Sequence, residues 1–83
     1  MSDPFVCYAL KDVEDITYRP IRGEHALFIK IKEGAQEVPN SPTAIQILKT
    51  GLYFGGFDSK SEAEDHIDYL TKKVNSVRSA GTL

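Results

Sequence analysis

Residues 59–78, SKSEAEDHIDYLTKKVNSVR, contain the clearest structural signal in the chain. Ser59 and Glu62 form a Ser-x-x-Glu capping box, in which the hydroxyl and the carboxylate accept hydrogen bonds from backbone N–H groups left unpaired by the first turn. Apolar residues then recur at helical spacing along one stripe, namely Ala63, Ile67, Leu70, Val74 and Val77. The stretch therefore predicts an amphipathic C-terminal helix, with residues 79–83 as a frayed tail.

Two segments near the N-terminus have the composition of strands. Residues 5–10 are a short apolar run rich in aromatic and β-branched side chains, and the acidic stretch 11–15 predicts a turn after it. Residues 16–21 resume the strand pattern, and the proline near their end places them at a sheet edge or a strand end. Arg22-Gly23 then predicts a hairpin turn.

The next segment, residues 25–33, has the two-residue period of a strand. Leu27, Ile29 and Ile31 lie on one face of the predicted strand, whereas Phe28, Lys30 and Lys32 lie on the other. This alternation makes it the most secure strand in the chain.

The segment at 43–50 has two interpretations. After the proline-containing loop at 34–42, Ser41-Pro42 could begin a short helix that stops at Gly51. Alternatively, 43–50 is a strand that turns at Lys49-Thr50-Gly51 into another at 52–54. Dense β-branching favours the strand.

The sequence thus predicts one small α+β domain over residues 1–83. Its fold is an antiparallel sheet of about four or five strands packed on one C-terminal amphipathic helix. The alternative order is β-β-β-α-β-α, with 43–50 as a second helix.

Composition excludes some classes of function. The 83 residues include 10 Lys and Arg against 12 Asp and Glu, a formal net charge of −2, which is neither the basic excess of a dedicated nucleic-acid binder nor the acidic excess of a DNA mimic. The single cysteine, Cys7, cannot form an internal disulfide, which favours a reducing cytoplasmic setting. No apolar run approaches the roughly 18 residues of a membrane span, and no leader pattern is present, so we expect a soluble, unexported chain.

No catalytic or metal-binding pattern is evident. Cys7, His25 and His66 lack the spacing of a metal site, and a cysteine in an apolar strand is typically a small buried hydrophobe. The glycines around residues 51–56 match no phosphate-binding fingerprint and instead indicate a bulge or close backbone approach. We therefore predict no catalytic residue, metal site or cofactor, and keep as a minor alternative a small enzyme whose site forms between subunits, with either histidine as base.

A nucleic-acid interface is the second functional hypothesis. Tyr18 and Phe28 could share a sheet face with nearby basic residues, and aromatic stacking beside basic groups is how sheets bind single strands. The basic candidates are Arg19, Arg22, Lys30 and Lys32.

A local pattern adds a resemblance to this hypothesis. Phe57-x-Ser59-Lys60-x-Glu62-Ala63-Glu64 resembles the sheet-to-helix junction of integrase arm-binding domains. With Tyr69-Leu70 and Lys72-Lys73 it also resembles a segment of the target-recognition regions of adenine methyltransferases. A helix cap, a small residue against the sheet and an amphipathic face explain the same pattern, so it assigns the chain to neither family.

The leading hypothesis comes from burial. One helix covers one face of a sheet, yet the strand segments at 5–10 and 52–54 are apolar on both faces, so a second covered face is expected. A second copy of the chain, another protein or a helical 43–50 segment could supply the cover. We therefore predict a non-enzymatic protein-interaction or regulatory module that acts through an apolar and aromatic sheet face, with a homodimer as one of its forms. The predicted anchors are Tyr8, Tyr18, Phe28, Tyr53 and Phe54.

Overall fold

The computed structural model describes residues 3–80 of the chain. It contains five strands and one long helix: β1 (Phe5–Ala9), β2 (Val13–Ile21), β3 (Glu24–Ile31), β4 (Ala44–Leu48), β5 (Leu52–Phe57) and α1 (Lys60–Ala80). The predicted α+β arrangement, antiparallel sheets packed against one C-terminal helix, is confirmed. The alternative with a second helix at 43–50 is wrong, because residues 44–48 form β4, in which the β-branched Ile45 and Ile47 are buried and Gln46 between them is exposed.

The strands form two sheets instead of the predicted single sheet. β1 pairs with β4, whereas β2, β3 and β5 form a three-stranded sheet in that order, and all these pairings are antiparallel. The prediction failed at β4 and β5, which follow one another in the chain but pair with different strands. The boundary between the two sheets therefore lies between β4 and β5.

The β2–β3 hairpin contains the predicted turn. Arg22 and Gly23 have φ values of 50° and 81°, so both central residues are left-handed, as a two-residue hairpin turn of type I′ requires. The predicted turn at 11–15 is too long, since only Leu10–Asp12 forms a short 3₁₀ turn. Val13 already starts β2, because its side chain is buried and it pairs with Ile31.

The predicted irregularity near Gly55-Gly56 is confirmed. The β3–β5 register shifts between the pairs His25–Phe57 and Leu27–Tyr53, so β5 has extra residues in a bulge there. The bulge ends shortly before α1.

The helix begins with a modified capping box. Ser59 Oγ accepts a hydrogen bond from the Glu62 N–H at 3.2 Å, as predicted. The Glu62 carboxylate accepts from the Asp58 N–H at 2.8 Å, one residue earlier than in the standard motif. The helix continues to Ala80, so 79 and 80 are helical, and the rest of the predicted frayed tail lies outside the described residues.

The core lies between α1 and both sheets. Leu10, Leu27 and Ile29 are its largest fully buried side chains, and the predicted helix stripe packs on them through Ala63, Leu70 and Val74, with Ile67 and Val77 at its margin. Near the other end of α1, the Arg78 guanidinium donates to the carbonyl oxygens of Lys11 and Val13, which attaches the helix to the start of β2. Within residues 3–80, no helix has both the length and the hydrophobicity to cross a membrane.

Candidate functional site

A cleft of about 530 Å³ lies between β4, β5 and α1. Buried core side chains contribute to its lining, including those of Leu10, Ile45, Ile47 and Leu70. Its more exposed lining includes Phe5, Phe54 and Tyr69, which are 47%, 43% and 54% exposed. Within residues 3–80 these three are the exposed large hydrophobic side chains, and all of them lie at this one cleft. Such convergence is typical of a binding surface.

Strands β4 and β5 part at the turn that joins them, because the Gly51 carbonyl oxygen accepts a hydrogen bond from β3. The Gly51 N–H donates to the Leu48 carbonyl oxygen at 2.8 Å, which closes the turn. A continuing hairpin would return a bond from the Leu48 N–H to the Gly51 carbonyl oxygen. That oxygen instead accepts from the Ile29 N–H of β3 at 2.8 Å, so β5 is directed to β3.

This pairing leaves two strand edges without a partner strand. On β4, the bonds from Leu10 N–H to Thr43 O and from Lys49 N–H to Pro4 O place Gln46 at a position where its N–H and C=O point away from β1. On β5, the same alternation points the polar backbone groups of Leu52 away from β3. Within residues 3–80, neither edge pairs with another strand.

An aromatic cluster extends from β5 to the helix side of the cleft. The His66 ring lies 5.4 Å from Tyr53, 5.1 Å from Phe57 and 5.5 Å from Tyr69, measured between ring centroids. A hydrogen bond of 3.1 Å joins Tyr53 Oη to His66 Nε2. These contacts hold the imidazole in place where it lines the cleft.

Two groups in the cleft have shifted pKa values, and one side chain carries a charge. Burial lowers the pKa of His66 below its usual 6.5, and the nearby Lys73 ammonium lowers it further, so the imidazole is neutral at pH 7. Burial raises the pKa of Tyr53 above 10.0, with a smaller contribution from Tyr69. Among the side chains that line the cleft, Lys73 alone carries a charge at neutral pH.

The chemistry of the cleft suits binding. It presents apolar side chains, one imidazole–phenol pair, one ammonium group and backbone donors and acceptors at the open strand edges, groups that can make apolar contacts and hydrogen bonds. Cys7 does not line it, and His25 is bound to Tyr18 Oη through Nδ1 at 2.7 Å. Within residues 3–80, no group of three or more His, Cys, Asp or Glu side chains is placed to hold a metal ion.

The five predicted anchors do not form one surface. Tyr53 and Phe54 line the cleft, whereas Tyr8 and Phe28 line a separate depression of about 250 Å³. Tyr18 pairs with Leu27, so it lies on the side of the sheet opposite to Phe28. Strand alternation and the division into two sheets therefore place these side chains on more than one surface.

The residues of the predicted nucleic-acid face are distributed over several parts of the β2–β3 hairpin and the residue that follows it. Tyr18 and Phe28 do not share a face, but the Arg19 guanidinium lies 5.1 Å from the centroid of the Phe28 ring. Lys30 forms an exposed ion pair of 3.7 Å with Glu14, which offsets its charge. Arg22 lies in the hairpin turn, and the exposed Lys32 follows β3.

The sequence analysis did not assign four aromatic, imidazole or charged residues of the cleft to a protein-binding surface: Phe5, His66, Tyr69 and Lys73. The three on α1 are spaced by three and four residues, which places them on one helical face beside Leu70. That spacing, visible in the sequence, indicates a second surface on the helix beside the apolar stripe. Phe5 was assigned only to an apolar strand, because nothing in the sequence shows that this strand would lie beside β4.

Comparison with protein-family models, curated proteins and solved structures finds no match for this chain.

Proposed function

We propose that this chain is a non-enzymatic protein-interaction module that binds an extended segment of a partner protein in the cleft between β4, β5 and α1. The observation that carries the proposal is the convergence of Phe5, Phe54 and Tyr69, the exposed large hydrophobic side chains of the described residues, on one cleft. Solvent-facing hydrophobic side chains gain stability when a partner covers them, at about 25 cal/mol per Å² of apolar area.

The strand edges support an extended partner in particular. Main-chain groups of Gln46 and Leu52 point away from their paired strands, so an added strand would gain backbone hydrogen bonds at either edge. A strand added at an open edge also removes the exposed template that such edges present to other chains.

The aromatic residues support specific recognition. Tyr69 and Phe54 combine large apolar area with few rotatable bonds, as binding anchors do. The His66 ring contacts Tyr69 and thereby limits its movement. A partner side chain that packs between Tyr69 and Phe54 would therefore contact a surface whose aromatic side chain on α1 is already ordered.

The test is selection of peptides from a displayed random library on the full chain, followed by mapping of the bound peptide by NMR. We expect enriched peptides to shift the amide signals of β4, β5 and the middle of α1. Replacing both Phe54 and Tyr69 by Ser should reduce affinity at least about tenfold, since truncation of an interface aromatic commonly costs more than 1 kcal/mol.

A matched control comes from exposed residues outside the cleft. Glu14→Ser combined with Lys32→Ser leaves the net charge unchanged and should leave affinity unchanged, while circular dichroism confirms that all variants fold. Failure to enrich any peptide, or signal changes confined to surfaces away from the cleft, would contradict the proposal.

The cellular setting and the source of the partner segment belong to the same proposal. The setting is the cytoplasm, which the single free cysteine favours. A second copy of the chain, in a homodimer, is one source of the partner segment, and light scattering over a range of concentrations separates this case from a different protein.

A nucleic-acid interface remains the second candidate function, and one observation favours it. The depression lined by Tyr8 and Phe28 also includes Lys30 and Lys49, with Arg19 over the Phe28 ring. Salt-dependent retention on single-stranded nucleic acid that is lost in the Lys30→Glu and Lys49→Glu double variant would support it. The ion pair of Lys30 with Glu14 and the net charge of −2 count against it.

A further inference from the structure

We infer that the cleft selects partner segments that carry a carboxylate two residues from an apolar side chain, and that Lys73 recognises the carboxylate. The inference rests on the proposed function and specifies its partner as an acidic extended peptide.

The first observation is that Lys73 has no acidic partner within residues 3–80. Its ammonium lies 5.4 Å from the centroid of the Tyr69 ring, and the ion pair that the described residues form is between Lys30 and Glu14. The side chain is half-buried at an apolar cleft, where a charge interacts more strongly than in water.

The second observation is the absence of compensating charge in the cleft lining. Of its 14 lining residues, Lys73 is the one that is charged at neutral pH, because His66 is held neutral. On α1, Asp68 projects about 140° around the helix from Lys73, given about 100° per residue. Glu62 is already engaged with the Asp58 N–H. An apolar cleft with one uncompensated ammonium group is complementary to an apolar segment with one carboxylate.

The spacing follows from strand geometry. Alternate side chains of an extended peptide point to the same side, so residues i and i+2 face α1 together. Tyr69 and Lys73 lie one turn apart on that helix and both line the cleft. A carboxylate that reaches Lys73 therefore belongs two residues from the apolar side chain that packs on Tyr69.

The experiment uses the same displayed library, selected in parallel on the native chain and on the Lys73→Met and Lys72→Met variants. Lys72 is the matched control, since it is the neighbouring lysine and does not line the cleft. We expect peptides enriched on the native chain and on Lys72→Met to share an Asp or Glu two residues from an apolar position. On Lys73→Met this preference should disappear.

One enriched peptide and its twin with the acid replaced by the corresponding amide are then measured by calorimetry. We expect the amide twin to bind the native chain about fivefold more weakly, a typical effect for a partly exposed ion pair, and both peptides to bind Lys73→Met equally. The fivefold difference should shrink as salt is added.

The outcomes separate the two proposals. Enriched peptides that bind in the cleft without an acidic preference, or an acidic preference that persists in Lys73→Met, would overturn the inference and leave the proposed function standing. Failure to enrich any peptide, or enriched peptides that bind outside the cleft, would overturn both.

Discussion

The two hairpin-like connections in this chain, β2–β3 and β4–β5, begin alike and end differently. Each joins consecutive strands through a tight turn with a glycine at positive φ, Gly23 in one and Gly51 in the other. After the first turn, β2 and β3 pair from Ile21 and Glu24 to Val13 and Ile31. After the second, β4 and β5 separate to different sheets. A turn sets the direction of the chain, but competing partners decide whether the strands pair.

The consequence is a closed side and an open side. At β2–β3 the backbone groups are paired and Leu27 and Ile29 are fully buried. At β4–β5 the separation leaves a cleft with exposed aromatic side chains at its margin. The proposed function therefore gives stability to the first region and binding to the second, and the following predictions test that division.

The largest expected effect comes from truncation on the closed side. Leu27→Ala should reduce the free energy of unfolding by about 3 kcal/mol, since it removes a fully buried side chain and leaves a cavity. Tyr69→Ala, on the open side, should reduce it by less than about 1 kcal/mol. Chemical denaturation measures both. A loss at Tyr69 as large as that at Leu27 would show that the cleft is part of the core.

The turn of the open side gives the next effect. An alanine Cβ at Gly51 would lie 2.8 Å from Phe28 Cε1, and the residue has φ of 95°. Gly34, with φ of 85° and no atom within 4 Å of such a Cβ, is the matched control. Both alanine variants should be destabilised by the positive φ, and Gly51→Ala by about 1 kcal/mol more because of the close contact. Equal losses would show that the contact with Phe28 does not matter.

Sequence reasoning identified the helix and its stripe, the β2–β3 turn and strand β4, because these depend on local spacing and composition. It failed where the outcome depends on competition between distant segments. Nothing near Gly51 indicates that its carbonyl oxygen bonds to Ile29, and that bond separates the sheets. The site was half predicted for the same reason: Tyr53 and Phe54 were identified from their strand, whereas Tyr69 and Lys73 become cleft residues only through the packing of α1.

A smaller effect concerns the turn of the closed side. Arg22 has φ of 50°, and Asn tolerates this conformation better than Arg. Arg22→Asn creates an Asn-Gly turn and should raise the free energy of unfolding by about 0.5 kcal/mol, within the usual range for surface changes. Arg22→Ala should give no gain, since Ala has the same difficulty at positive φ. A gain in both variants would point to a charge effect instead.

The smallest effect concerns the protonation of His66. NMR titration should give a pKa below 6.5, and Lys73→Met should raise it, whereas Lys72→Met should leave it nearly unchanged. Because the pKa is lowered on folding, the unfolded chain binds the proton more readily. The stability that comes from the neutral imidazole is fully present above pH 6.5 and is lost as the pH falls from there towards the lowered pKa. An unchanged pKa in Lys73→Met would show that the Lys73 ammonium does not act on His66 and that burial alone lowers this pKa.

Amide hydrogen exchange along β4, measured with and without an enriched peptide, shows whether β4 has one paired edge and one open edge facing the cleft. In the free chain we expect the Gln46 amide to exchange much faster than those of Ile45 and Ile47, which face β1 in the sheet. Bound peptide should slow exchange at Gln46 and at Leu52. Equal protection of Gln46 and its neighbours in the free chain would show that β4 and β5 are paired and would contradict the account.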